Sequence, residues 1–275
     1  MTPAAAAIHT QNGLEEWPFP ADSMADIEKH EPDGFYTVGR TFHYDKLFLL
    51  EAHFDRLEKS AALGGVAVRL DRNSLRQSMR TMIERANLEN ARFRITVPRQ
   101  SPNEVNLFFE PLDIEGIAAL QKGVTAASYV IERSNPLIKS NEWGLVRAEA
   151  RKNLPREVYE VVICDESGKL LEGFSSNFFV VKEGKLQTAG AGVLQGLTRR
   201  VVLEVAPDIL PLDLTPIDLS TSHEFEEVFI TSGSRGLVPV TTFNGVPIGA
   251  GGPGAITQAL HRAYKQWVEQ HLEAI

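Results

Sequence analysis

The chain has 275 residues, of which 43% are hydrophobic, and a formal net charge of −8 at pH 7. This length accommodates one large domain or two ordinary ones with a substantial core. Nucleic-acid binding relies on clustered basic residues, whereas the 28 Lys and Arg residues here are scattered among 36 Asp and Glu. Nucleic acid is therefore excluded as the main partner, and small molecules are favoured.

The single cysteine, Cys164, lies in an apolar run, so the sequence offers no disulfide framework and no thiolate metal cluster. The seven histidines show no metal-ligand spacing, and we predict no metal site. The first residues lack a basic segment followed by a long apolar core, and no run approaches the ~20 apolar residues of a membrane helix. We therefore expect a cytoplasmic protein with no membrane partner.

The first part of the chain predicts a small α+β layer. Residues 1 to about 30 show little periodicity, and we expect them to wrap the surface or a neighbouring subunit, with order beginning near Gly34. The predicted elements that follow are a strand at 34–42, helices at 48–65 and 71–88, and strands at 91–99 and 104–112. We place a small N-terminal domain at residues 1–115.

The second part begins after a stretch containing Pro and Gly, residues 110–123, which we interpret as a linker. The predicted elements are a strand at 124–132, a helix at 141–154, hairpin strands between 157 and 189, a helix at 197–206, strands at 226–232 and 237–249, and a C-terminal amphipathic helix. We place a larger C-terminal domain at residues 123–275. The fold class is thus α/β, in the sense of a two-domain α+β protein.

Two segments have the features of anion sites. A glycine precedes the helix that opens with Leu197 and Thr198, where free backbone N–H groups and the positive helix end face outward. The alternative is ordinary N-capping by Thr198. A Ser/Gly-rich turn directly after a strand, Ser232 to Ser234, could form an anion nest, and the alternative there is a plain loop.

Three charged residues occupy unusual positions. Arg56 lies mid-helix opposite an apolar face and could grip a phosphate, or it could be a surface arginine. Lys139 follows the apolar triplet 136–138, where burial would favour a nucleophilic amine, although a snorkelling lysine has the same pattern. Glu172 interrupts a strand-like run, and by pattern alone a hairpin bulge explains it.

Together these residues resemble a known family. The segments "EGFSSNFF" from Glu172, "KLQTA" and "VLQGLTRR" are similar to the signature of the class IV pyridoxal-phosphate aminotransferases, the fold type IV group. The segments "DGFYTVGRTF", "HFDRLEKSAALG", "LIKS" and "EEVFITSGSRGLVPV" resemble other parts of that family in the same order. The resemblance spans roughly residues 34 to 245.

The resemblance implies a small α+β domain and a larger β-barrel-like domain that binds pyridoxal 5'-phosphate, with the site between them. Lys139 is then the catalytic residue that forms the Schiff base and moves the substrate proton. The alternative lysine, Lys152, lies 20 positions before Glu172, whereas Lys139 lies 33 positions before it, which is the spacing that similar family members show. Glu172 pairs with the pyridine nitrogen, and Asn177 supports the loop. The implied cofactor-binding set is Arg56, Lys139, Glu172, Leu194, Leu197, Thr198, Gly233 and Ser234.

The sequence does not identify the substrate, because it departs from the family at three points. "EPDG" replaces the family's Phe-Gly-Asp-Gly, the aromatic residue that branched-chain enzymes carry after the lysine is absent, and the Arg-x-His substrate clamp of typical D-amino-acid enzymes is not found. Candidates for holding a substrate carboxylate are Tyr36, Arg40, Arg94, Arg99 and Arg235, each with a structural role as the alternative.

The resemblance implies transfer of an amino group from an amino acid to a 2-oxo acid, with 2-oxoglutarate or pyruvate as acceptor, in a homodimer. A lyase similar to aminodeoxychorismate lyase, which releases pyruvate, is one alternative. A non-catalytic relative is another, against which the retention of Lys139 and Glu172 argues.

Overall fold

The structure is a computed structural model that describes residues 4–275. It divides into two compact units. The first unit contains the chain up to residue 112 together with residues 138–146 and 271–275, and the second contains residues 113–137 and 147–270. Within the described range, no helix combines the length and the apolar character needed to cross a membrane.

The first unit is built on a five-stranded antiparallel sheet. Its elements are β1 (Ala5–Thr10), β2 (Gly13–Glu16), α1 (Met24–His30), β3 (Gly34–Arg40), β4 (Lys46–Leu47), α2 (Leu50–Leu63), α3 (Arg72–Ala86), β5 (Ala91–Pro98) and β6 (Val105–Pro111). The strand order is β2–β1–β6–β5–β3, which leaves β3 at one edge. The helices and strands predicted between residues 34 and 112 are all present.

The expectation that order begins near Gly34 is wrong. β1 pairs with β6, with Ala7 opposite Leu107, and β2 continues the sheet. The strand β1 is not predicted from the sequence because its run of alanines has low strand propensity. Pairing with β6 stabilises the extended conformation that the local sequence does not favour. α1 is capped by Ser23, whose hydroxyl accepts from the Asp26 N–H.

Helices α2 and α3 bury their apolar faces in one cluster with the sheet. Phe54 and Leu57 of α2 and Met79 of α3 are fully buried together with Phe93 and Phe109 of the strands. Each such side chain contributes about 1.5–3 kcal/mol through removal of its surface from water. This packing fixes the helix that carries Arg56.

The second unit contains most of the remaining secondary structure. Its elements are α4 (Ile114–Leu120), β7 (Val124–Val130), the end of α5 (Glu142–Arg151), β8 (Glu160–Cys164), β9 (Lys169–Gly173), β10 (Asn177–Lys182), β11 (Lys185–Gln187), α6 (Leu197–Val205), β12 (Leu212–Asp213), β13 (Ile217–Asp218), β14 (Glu227–Ser232), β15 (Gly236–Phe243), β16 (Val246–Pro247) and α7 (Ala255–Gln270). The stretch interpreted as a linker thus contains α4, which Asp113 caps by accepting from the Gly116 N–H at 2.8 Å.

These strands form one ten-stranded sheet that closes on itself. The path runs β10–β14–β15–β7–β8–β9, and β9 then pairs with β10 through Glu172 and Asn177. β7 is parallel to both of its neighbours, while the other pairs on this path are antiparallel. The result is the β-barrel-like architecture that the family resemblance implies, with Phe178, Val180 and Ile230 in its core cluster.

Candidate active site

Lys139 is held in the first unit by the edge strand β3. The Tyr36 N–H donates to the Lys139 carbonyl at 3.0 Å, and the Asn141 N–H donates to the Gly34 carbonyl at 3.1 Å. Ser140 forms an isolated β-bridge with Phe35. The half-buried Lys139 places Nζ 4.7 Å from the centre of the Tyr36 ring. Backbone pairing therefore fixes the main chain of this lysine although it lies outside any named element.

Arg56 presents a cation without a carboxylate partner among the described residues. Its Nη2 donates to the Thr37 hydroxyl, and its buried Nε has no hydrogen-bond partner within residues 4–275. Burial lowers the pKa of Arg56 to about 10. Because a desolvated guanidinium is costly unless an anion compensates it, this arrangement is suited to binding an anionic group.

His53 lies one helical turn before Arg56 and shares its polar neighbour. The His53 ring Nδ1 is 2.7 Å from the Thr37 hydroxyl, and the side chain is buried. Burial lowers the pKa of His53 well below its usual value, and the positive charges of Arg56 and Lys139 lower it further. His53 is thus kept neutral beside two cations. No motif singles out His53 in the sequence, although its (i, i+3) spacing from Arg56 places the two side chains on one face of the helix.

Glu172 is the second-last residue of β9 in the second unit, and its carboxylate is buried. One oxygen, Oε1, pairs with the Arg133 guanidinium. The other, Oε2, accepts from the Leu194 N–H at 2.9 Å and lies 3.4 Å from the Asn177 amide nitrogen. Donors of this kind stabilise a carboxylate in its charged form. The hairpin-bulge explanation is therefore insufficient, because the side chain is the centre of a buried polar network.

Asn177 supports the loop before α6, as expected. Its amide donates to the Leu194 carbonyl at 2.8 Å, and a Cβ added at Gly196 would meet the Asn177 Oδ1 at 2.2 Å. Leu194 is therefore attached to Glu172 and to Asn177 through its own backbone. No sequence signal indicated Arg133, which lies in the irregular segment after β7.

The start of α6 contacts the turn between β14 and β15. The N-cap of α6 is Gly196, so the alternative in which Thr198 is an ordinary N-cap is wrong. Thr198 instead donates its hydroxyl to the Ser232 carbonyl at 3.0 Å. The first N–H groups of a helix have no intrahelical acceptor and can therefore donate hydrogen bonds to an anion. Gly233 and Ser234 lie in the adjoining turn, which Gly236 closes at φ +69°.

Three of the five substrate candidates, Arg94, Arg99 and Arg235, pair with carboxylates of their own unit. Arg94 is buried, bonds to Glu31 at 2.8 Å and to Asn141 at 2.9 Å, and stacks 3.8 Å from the Tyr36 ring centre. Burial raises the pKa of Glu31. Arg94 thereby connects α1, β5 and the segment that follows Lys139.

Arg99 donates to Asp33 at 2.8 Å and to the Gly64 carbonyl at 2.7 Å. Arg40 lies over the Phe42 ring at 4.3 Å. The fifth candidate, Arg235, belongs to the second unit and contacts Ser232 and Tyr159.

Comparison with known proteins covers most of this chain. Residues 34–243 match the family model described as amino-transferase class IV. The chain belongs to the class IV aminotransferases. The match confirms the predicted family and aminotransferase activity, together with pyridoxal 5'-phosphate as the cofactor of this class. It does not favour the lyase alternative.

Individual relatives of this aminotransferase agree with the family match. A D-alanine aminotransferase from Listeria monocytogenes is 26% identical over 268 residues, which is 90% of this chain and 92% of that protein. A crystal structure from Thermotoga maritima, of a candidate branched-chain amino acid aminotransferase, has a TM-score of 0.79 at 25% identity and covers 96% of each chain. The predicted fold type IV is thereby confirmed.

A third relative shares the fold. A hypothetical aminotransferase from Mycobacterium tuberculosis, solved in a PLP-bound form, has a TM-score of 0.79 at 18% identity, with 97% of this chain and 99% of that chain covered.

The residues of this aminotransferase fit a phosphorylated pyridine aldehyde. The buried Nε of Arg56 lacks a partner among the described residues, which suits a phosphate. The Glu172 carboxylate is set in a buried network of donors, which suits a ring nitrogen that carries a proton. A primary amine is present in Lys139.

Proposed function

We propose that this protein transfers amino groups between an amino acid and a 2-oxo acid, with Lys139 as the residue that binds pyridoxal 5'-phosphate covalently. The observation that carries this assignment is the attachment of the Lys139 main chain to β3, with Nζ 4.7 Å from the Tyr36 ring centre. The main chain of a catalytic lysine must stay in place while the side-chain amine is released from the cofactor and binds it again. A backbone fixed by hydrogen bonds meets that requirement.

In this proposal the cofactor supplies an electron sink for the substrate α-carbon when it is bound. As a free amine, Lys139 Nζ would accept the proton from that carbon and deliver it to the cofactor carbon C4'. Glu172 favours a protonated ring nitrogen, because a fixed carboxylate stabilises a neighbouring positive charge. The phosphate would be held by Arg56, by the amides of Leu197 and Thr198, and by the turn at Gly233 and Ser234.

Reduction with borohydride tests the lysine assignment. Treatment of the cofactor-loaded protein should fix the cofactor on the peptide that contains Lys139, as read by mass spectrometry. Lys139→Ala should lose the fixed mass, whereas Lys152→Ala, a change at an exposed lysine paired with Glu149, should retain it. Label on Lys152 in the wild type would overturn the assignment.

The substrate class follows from the relatives and stays a proposal. We propose D-alanine and branched-chain amino acids as the first donors to test, with 2-oxoglutarate and pyruvate as acceptors. A donor alone should convert the bound cofactor to pyridoxamine phosphate in a single turnover. Release of pyruvate from an aminodeoxychorismate-type substrate, without this conversion, would instead show a lyase.

We also propose a homodimer. Helix α5 carries Leu145 at 79% and Val146 at 42% exposure, and Ala150 is its one buried residue. Apolar side chains exposed in this way on neighbouring positions favour a covering partner. Leu145→Glu should shift the protein to monomer in light scattering coupled to size exclusion, and an unchanged dimer would place the contact elsewhere.

The cytoplasmic location stays a prediction from the sequence, as do the domain limits at residues 1–115 and 123–275.

A further inference from the structure

Arg235 uses all three nitrogens of its guanidinium within the second unit. Nε donates to the Ser232 hydroxyl at 2.8 Å, and Nη1 donates to the Tyr159 hydroxyl at 3.0 Å. Nη2 donates to the Ser175 hydroxyl at 2.9 Å and to the Ser175 carbonyl at 3.3 Å. One side chain thus joins the turn after β14 to the segment before β8 and to the loop between β9 and β10.

Glu160 provides the matching negative charge at the start of β8. Its buried carboxylate accepts from the hydroxyls of Ser175 at 2.7 Å and Ser176 at 2.9 Å, and it lies 3.7 Å from Arg235 Nη2. A buried carboxylate is costly unless it is paired and hydrogen-bonded, and Arg235 with the two serines meets both conditions. The loop has no spare room, because a Cβ at Gly173 would lie 2.1 Å from the Ser176 hydroxyl.

Two of the three segments that Arg235 joins are assigned to opposite ends of the cofactor. Ser175 lies in the loop between Glu172 and Asn177, which belong to the ring-nitrogen network. Ser232 begins the turn assigned to the phosphate, and its carbonyl accepts from Thr198 at the start of α6. A ring nitrogen and a phosphate on one rigid small molecule have a fixed separation. Both ends bind well only if the protein holds the two segments at the matching distance before binding.

We propose that Glu160 and Arg235 are positioning residues that hold the Glu172–Asn177 loop and the Ser232–Gly236 turn at the separation required by pyridoxal 5'-phosphate. This inference rests on the proposed function. It gives Arg235 a different role from the substrate-carboxylate clamp expected from the sequence. Its three nitrogens already have partners in the protein, so a carboxylate would have to displace one of them.

The test compares two ligands that differ only in the phosphate. Cofactor-free wild type, Arg235→Met and Glu160→Gln are titrated with pyridoxal 5'-phosphate and with pyridoxal. We expect Arg235→Met to weaken binding of pyridoxal 5'-phosphate at least tenfold and binding of pyridoxal much less, because pyridoxal does not span both segments. Arg200→Met, a change at an exposed arginine on α6, is the control and should bind both ligands as the wild type does.

Hydrogen exchange of the cofactor-free proteins gives a second readout. Exchange should rise in both residues 173–177 and residues 232–236 of Arg235→Met and of Glu160→Gln. The double variant should lose little more affinity than Arg235→Met alone, because the two residues act as one unit. If Arg235→Met does not fold, Arg235→Lys replaces it, since lysine keeps the charge but cannot reach three acceptors at once.

Several results would overturn the inference. An unchanged affinity for pyridoxal 5'-phosphate with a raised KM for the amino donor would make Arg235 a substrate-binding residue. Equal loss for pyridoxal 5'-phosphate and pyridoxal would show general damage rather than a lost separation. Wild type that binds neither ligand would overturn the proposed function itself, whereas wild-type binding with unaffected variants would overturn this inference alone.

Discussion

Asn177 lies opposite Glu172 at the strand pairing that closes the barrel of the second unit. The closure of the sheet and the placement of the buried carboxylate are therefore the same structural event. The backbone at this point cannot shift without disturbing the β9–β10 pairing. This explains how a strand-end glutamate obtains the fixed position that a partner of the cofactor ring requires.

Glu172→Gln should leave the fold and cofactor binding in place while slowing proton transfer. Glutamine has nearly the same shape and can accept some of the same hydrogen bonds, but it cannot stabilise a protonated ring nitrogen by charge. We expect the single-turnover rate with a donor amino acid to fall by about 10²–10⁴, the range typical of lost proton-transfer assistance. Glu166→Gln, a change at an exposed turn, should react at the wild-type rate. Full activity of Glu172→Gln would refute the role.

Arg133→Met should destabilise the cofactor-free protein strongly. It removes the cation that pairs with Glu172 Oε1, a change that costs about 3–5 kcal/mol in buried pairs. Added pyridoxal 5'-phosphate should restore part of the loss, because a protonated ring nitrogen replaces some of the missing charge. Denaturant unfolding with and without cofactor measures both effects. Equal unfolding free energies for variant and wild type would show that the pair contributes little.

Gly196→Ala should weaken the second unit at the start of α6. The new Cβ would lie 2.2 Å from the Asn177 Oδ1, so the Asn177 side chain or the helix start must move. We expect a loss of about 1–3 kcal/mol in unfolding free energy, the usual range for overpacking, and weaker cofactor binding. Gly252→Ala is the matched control, because nothing lies within 4 Å of its added Cβ. A thermal shift of the same size in both variants would contradict the steric explanation.

Acidification should destabilise the wild type partly through His53. Because its folded-state pKa lies below the ordinary 6.5, the unfolded chain binds more protons between these two values. The unfolding free energy should therefore fall as pH drops below about 6.5.

His53→Gln keeps a hydrogen-bonding side chain near Thr37 but does not titrate, so its stability should depend less on pH across this range. Thermal unfolding as a function of pH measures the slope. A His53→Gln slope equal to that of the wild type would show that other groups account for the acid sensitivity.

The sequence by itself determined the family and most of the helices and strands after residue 34, and it predicted the pair Lys139 and Glu172. These features are encoded locally, in apolar periodicity and in short motifs whose residues are close in the chain. Tertiary structure decided what depends on distant segments. The alanine-rich β1 became a strand only by pairing with β6, and Arg133 reached Glu172 across 39 positions.

The arginines show the same division. In sequence, Arg94 and Arg235 were equivalent candidates for a substrate carboxylate, because both are cations near recognisable motifs. In the structure Arg94 pairs with Glu31 from another part of its unit, and Arg235 bonds to Ser175 and Tyr159. The partner of a charged side chain is set by which segments the fold brings within about 4 Å, where an ion pair forms. No local pattern contains that information.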